Sequence, residues 1–196
     1  MGQPGCQSEP LRVESAMDLL LILLYARGKN GTDAEPIEGI TRLQKLVFLL
    51  QQDVGPKQLV KEAEAYRYKS YKMGPYSEQL RRDLEELESA GIVVTERLHY
   101  WLPDDGDGLP DKGADFDSPA RETKRVESYR FSLSPDLGQR IGKELWDSLG
   151  PKDREELTGF KAFFNSLSLR QLLIFTYERY PEFTEASTIK KQLGLF

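Results

Sequence analysis

Ile92-Val-Val-Thr-Glu-Arg-Leu-His-Tyr-Trp-Leu102 and Val126-Glu-Ser-Tyr-Arg-Phe-Ser-Leu133 are the stretches whose reading decides the fold. Both are rich in β-branched and aromatic residues. In the second, Tyr129, Phe131 and Leu133 alternate with polar residues. A period of two in such residues predicts strands. The segment between them, Pro103 to Pro119, is crowded with Asp, Gly and Pro and reads as a loop. Strand, long loop and returning strand make a hairpin with an extended tip, the shape of a wing.

Upstream of the hairpin the period changes to that of helices. Ser77 can cap a helix running to about Ala90, with Leu80, Leu84 and Leu87 on one face and Gly91 beyond its end. Before it, Ala65 to Tyr71 alternates like a strand and Gly74-Pro75 breaks it. Thr41-Arg-Leu-Gln44 has the capping-box pattern and opens a helix through Leu43, Leu46, Val47 and Leu50, stopped by Gly55-Pro56. Ser15-Ala-Met-Asp18 opens the first helix. Its apolar face of Met17, Leu20, Leu21 and Leu24 is widened by Leu19, Ile22 and Leu23, which predicts near-complete burial. Residues 1–13 show no periodicity and read as a disordered tail.

Downstream, Ser134-Pro-Asp136 starts a helix to about Leu149. Gly150-Pro151 separates it from another near Lys152 to Ser166. Ser168-Leu-Arg-Gln171 is a second capping box, opening a last helix that ends at Pro181. The tail from Glu182 either folds over the core or hangs free. The reading is an α+β chain, mainly α. A winged-helix-like domain over 14–133 is followed by a helical C-terminal segment over 134–196.

Composition narrows the function classes. The chain has 196 residues, 30% of them charged and 39% hydrophobic, with a formal net charge of -5. That is a globular balance, and an acidic body binds nucleic acid only through a local basic patch. Cys6 is the only cysteine, so no intrachain disulfide can form, which suits the cytoplasm. No signal peptide is visible, and the run Leu19 to Tyr25 is too short to span a bilayer.

Three stretches carry a resemblance. They are Ile40-Thr-Arg-Leu-Gln-Lys-Leu-Val-Phe-Leu-Leu50, Tyr71-Lys-Met-Gly-Pro-Tyr-Ser-Glu-Gln-Leu80 with Asp83-Leu-Glu-Glu-Leu87, and Ser168-Leu-Arg-Gln-Leu-Leu173 to Tyr177-Glu-Arg-Tyr-Pro-Glu-Phe-Thr184. Together they resemble the YwgA-like and SocA/Panacea-type antitoxin group of prokaryotic proteins, over roughly residues 15 to 185. The resemblance implies a bacterial or archaeal regulatory protein that neutralises or escorts a partner. One departure bears on mechanism. A DNA-binding winged helix has a short turn before its recognition helix, whereas residues 54 to 75 intervene here.

The candidate binding surface is basic. Between Tyr66 and Arg82 the cations Arg67, Lys69, Lys72, Arg81 and Arg82 face one acid, Glu78, and Tyr66, Tyr68, Tyr71 and Tyr76 interleave with them. Cations neutralise phosphates and tyrosine hydroxyls donate to them, so double-stranded DNA is one candidate partner. In that reading Ser77, Gln79 and Arg82 reach bases, and Arg121, Lys124 and Arg125 contact phosphates from the wing. Against it, Asp83, Glu85, Glu86 and Glu88 follow at once on the same helix and would repel a phosphate backbone. The alternative is a protein-only adapter that docks an effector. The apolar supply of Phe160, Phe163, Phe164, Leu169, Leu172, Leu173, Phe175 and Tyr180 serves either the core or a homodimer or partner face.

Catalysis is not expected. His99 is the only histidine, and phosphate-loop and nucleophile-elbow patterns are absent. Asp104, Asp105, Asp107, Asp111, Asp115 and Asp117 are oxygen-rich, yet their spacing is not that of a calcium loop. Neither a metal nor a cofactor is expected.

Overall fold

The computed structural model describes residues 13–52, 59, 64–103 and 123–195, with the backbone alone for 101–103, 123 and 124. Ser15 is extended and caps α1 (Ala16–Tyr25): its hydroxyl accepts from the Asp18 N–H, and the Asp18 carboxylate accepts from the Ser15 N–H. Leu19 through Leu24 are all at most 3% exposed, so α1 is surrounded on every side. After the two-residue strand β1 (Ile37–Glu38), Gly39 adopts φ 90° and caps α2 (Ile40–Gln51). This corrects the expected Thr41 cap. The positive φ of Gly39 starts the helix two residues earlier, and the Thr41 hydroxyl turns to the Met73 sulfur instead. The expected stop at Gly55-Pro56 lies outside the described residues.

The strand expected from Ala65 begins only at Lys69. β2 (Lys69–Tyr71) pairs antiparallel with β3 (Gly74–Tyr76), so Gly74-Pro75 forms a strand rather than breaking one. Gly74 makes this work. It has φ 84°, and the ring of Tyr177 packs against its Cα at a distance that leaves no room for a side chain. α3 (Glu78–Ser89) follows, capped by Ser77. Then β4 (Val93–Pro103) and β5 (Thr123–Leu133) form the long hairpin, in register from Val93 opposite Leu133 to Pro103 opposite Thr123. β1 pairs with β5, giving a three-stranded antiparallel sheet in the order β1-β5-β4.

Among the described residues four α-helices follow, α4 (Leu137–Ser148), α5 (Pro151–Ser166), α6 (Leu169–Arg179) and the short α7 (Lys190–Leu193), with a single 3-10 turn, Pro181–Thr184, between the last two. α4 starts later than expected, because the Ser134 hydroxyl accepts from the Gly138 N–H while Asp136 occupies the cap. The capping box at Ser168 and Gln171 is present as read. The tail folds over the molecule: the N–H of Thr188 donates to the Lys72 carbonyl, and that of Ala186 to the Ser70 hydroxyl.

One hydrophobic cluster joins both halves of the chain, from Ala16 to Leu172. Phe160, Phe164, Leu172 and Leu173 are core, and Phe163 alone of that aromatic group stays more than half exposed. α2 holds the centre. Every residue from Arg42 to Leu50 is buried, polar ones included. A buried polar group must find a partner, and these find the ends of neighbouring elements. Arg42 donates to the Phe164 carbonyl near the end of α5. Gln44 donates to the Ser77 carbonyl and accepts from the Ser77 N–H. Lys45 donates to the Pro75 carbonyl. Lys161 does the same for α1, donating to the carbonyls of Leu24 and Ala26 at its end.

Candidate functional site

Two elements meet α1 at its N-terminal end and leave a groove of about 680 Å³ between them. One wall is the segment from Glu64 to Lys69, placed there because Tyr66 and Tyr68 send their rings inward. The other wall is the first half of α3. Ser15, Ala16 and Met17 close one side, and Tyr76 of β3 contributes as well.

A hydrogen-bonded network fixes the two walls. The Tyr66 hydroxyl donates to Asp83 Oδ2 at 2.8 Å, and Gln79 Nε2 donates to Asp83 Oδ1 at 2.5 Å. Burial, reinforced by the Asp83 charge, pushes the Tyr66 phenol far above its usual range, so it remains a donor at all ordinary pH. The Tyr68 ring packs edge-on against Phe48, and its buried hydroxyl has no hydrogen-bond partner among the described residues.

The expected site residues divide. Arg67, Lys69, Tyr76, Gln79 and Arg82 line the groove together. Lys72 and Arg81 do not. Lys72 sits in the turn of the β2–β3 hairpin with its ammonium 5.9 Å from the centre of the Tyr71 ring. Arg81 is bound to Glu85 at 3.1 Å and bonded to Tyr76, which together raise its pKa. Ser77 is fully buried, and its hydroxyl accepts from the Leu80 N–H, so it cannot reach a base edge. The expectation that Ser77 reaches bases does not fit this burial: its hydroxyl caps α3 and its backbone N–H and carbonyl pair with Gln44. Arg125 is exposed on β5 and is not part of the groove. Arg121, the Lys124 side chain and the acidic segment Asp104 to Asp117 lie outside the described residues.

Acids match the cations. Glu64, Glu78 and Asp83 line the groove beside Arg67, Lys69 and Arg82. Lys69 pairs with Glu78 at 3.8 Å, an exposed contact worth under about 1 kcal/mol. Arg67 and Arg82 have no ion-pair partner among the described residues, and both are exposed. Along the rest of α3, Glu85, Glu86 and Glu88 are exposed.

The role of Asp83 was hidden in the sequence. Its spacing from Leu80 and Leu87 places it on the buried face, and Gln79 stands one turn before it, which is the signal that it belongs to the interior network. The contribution of Ser15, Ala16 and Met17 leaves no local signal, since it depends on how α1 packs. Among the described residues no group of three or more His, Cys, Asp or Glu is placed to hold a metal ion. Among them too, no helix is long and apolar enough to cross a membrane. No protein-family model matches the chain, and no curated protein or solved structure matches it.

Proposed function

We propose that this chain is a prokaryotic, cytoplasmic regulatory protein of winged-helix type, antitoxin-like, that acts by docking a partner protein rather than by catalysis. The observation that carries the docking is the groove between residues 64–69 and α3. A helix that reads DNA stands out as a ridge to enter the major groove. Here the first turns of α3 form the wall of a recess, and acids balance the cations around it. The winged-helix reading is supported by the successions α1-β1-α2 and α3-β4-β5, which the β2–β3 hairpin separates, and by a three-stranded antiparallel sheet ending in a long hairpin. The resemblance to the YwgA-like and SocA/Panacea-type group rests on the residues quoted above.

The test places a photo-crosslinking side chain at Gln79, in the groove, or at Lys143, exposed on α4, in cells that carry the native gene. Protein adducts at Gln79 and not at Lys143 are expected. Adducts to nucleic acid alone would overturn the reading.

A second reading, transcriptional regulation through DNA, is favoured by the exposed guanidinium groups of Arg67 and Arg82, which have no ion-pair partner among the described residues. A salt titration with random duplex DNA, comparing wild type with Arg81→Glu/Arg82→Glu, decides it. Steeply salt-dependent binding that the double variant loses supports DNA. No binding at about 50 mM salt removes it.

A further inference from the structure

We infer that the groove recognises an acidic peptide segment carrying an apolar anchor, with Arg67 and Arg82 as the carboxylate-binding pair. The inference rests on the docking reading above and names the chemistry of the partner. Three observations converge on it.

The first is charge. Of the three cations around the groove, Lys69 is engaged by Glu78, while Arg67 and Arg82 have no ion-pair partner among the described residues. They stand one on each wall: Arg67 on the segment that carries Tyr66 and Tyr68, Arg82 on α3. A guanidinium presents a planar fork of donors that matches a carboxylate two bonds at a time. Two such forks facing a common recess select for a ligand with more than one carboxylate.

The second is the surface between them. Ala16, Met17, Tyr66, Tyr68 and Tyr76 line the groove and give it an apolar and aromatic lining. Methionine adapts its shape to irregular side chains and favours aromatic contact. This part of the groove fits an aliphatic or aromatic side chain rather than a second charge.

The third is size and rigidity. At about 680 Å³ the recess lies within the range of small-ligand pockets, too small for a folded domain and large enough for a few side chains. Its walls are tied by the Tyr66–Asp83–Gln79 network, so the two arginines are anchored on elements that do not need ordering when a ligand arrives. Glu64 and Glu78 at the edge disfavour a ligand whose charge is dense along its whole length, as in a nucleic acid strand.

The experiment is selection of random peptides displayed on phage against the full chain, with Met17→Arg, which fills the groove, as the counter-selection. Enriched peptides are then synthesised with a fluorophore and measured by anisotropy against wild type, Arg67→Glu/Arg82→Glu and Arg67→Gln/Arg82→Gln. The expected result is enrichment of sequences with Asp or Glu flanking an apolar residue. Binding should weaken about tenfold or more in the glutamine variant. The glutamate variant should bind the same peptides with Lys in place of Asp and Glu, a reversal that misfolding cannot produce. Both arginines are exposed, so the thermal midpoint of either variant stays near that of wild type.

Peptides that need an open groove but show no acidic preference would overturn this inference and leave the docking reading standing. Peptides indifferent to Met17→Arg, or no enrichment at all, would remove both. A labelled single-stranded oligonucleotide that binds more tightly than the acidic peptides and is lost in the glutamate variant would assign the arginines to phosphate instead, and would equally overturn it.

Discussion

Stability should rise with pH between about 7 and 9, because two lysines are buried in the core. Lys45 and Lys161 are 2% and 0% exposed, and among the described residues their ammonium groups bond only to backbone carbonyls. Loss of water around the charge pushes each pKa from 10.5 down to about 7, with Glu35 near Lys161 opposing part of the effect. The unfolded chain keeps these lysines protonated up to its own pKa, while the folded chain releases the protons from about pH 7 upward. Between those values the unfolded state holds more protons, so raising the pH favours folding. Each lysine contributes a slope of up to about 1.4 kcal/mol per pH unit, or on the order of 2 kcal/mol between about pH 7.5 and about pH 9. Below about pH 7 both states are charged and the slope from these groups vanishes. The buried tyrosines Tyr66 and Tyr68, whose pKa values are raised, act in the opposite direction, but only above their ordinary value of 10. The assay is urea denaturation at several pH values, for wild type and for Lys45→Met/Lys161→Met. The wild-type free energy should climb across the window and that of the double variant should stay nearly level. A level wild-type profile, or the same climb in the variant, would refute the reasoning.

Other perturbations test separate parts of the argument. Gly74→Ala forces a side chain into a left-handed conformation and onto the Tyr177 ring, so thermal melting should show a loss of about 1–3 kcal/mol. Asp83→Ala leaves the buried Tyr66 hydroxyl without an acceptor and should cost about 1–3 kcal/mol in a denaturant titration, whereas Glu86→Ala on the exposed side of α3 should change stability by under about 0.5 kcal/mol. Gln44→Leu keeps the volume but strips two bonds from the Ser77 backbone. It should destabilise by about 2 kcal/mol and speed hydrogen exchange at the Ser77 amide.

Elements with strong local signals were legible. Ser15 with Asp18 and Ser168 with Gln171 write their helix starts into four residues, and the two strands of the hairpin carry their own alternation. Thr41 carried the same signature and did not cap, because Gly39 could take the positive φ that started the helix earlier. Gly74-Pro75 looked like a break and became a strand, since the chain from Thr184 onward supplies partners for that hairpin from more than a hundred residues away. The same gap limited the site. Arg67, Lys69, Lys72, Arg81 and Arg82 were found as a basic run, but the run itself did not tell which of these cations would line the groove with Gln79 and which would stand apart from it. The polar residues of α2, which local spacing assigns to a solvent face, are buried because helices from both halves of the chain enclose it.

The carbonyls at the end of α1 have a consequence for how the protein is made. Their partner, Lys161, lies 137 positions after Leu24, and Phe164, which Arg42 needs, lies 122 positions after Arg42. A ribosome adding roughly 5–20 residues per second needs on the order of ten seconds to cover that distance. For that interval the carbonyls of Leu24 and Ala26 and the guanidinium of Arg42 lack the partners that α5 supplies. The ends of α1 and α2 are therefore completed only once α5 has been made, so the two halves of the chain close as one unit rather than in succession.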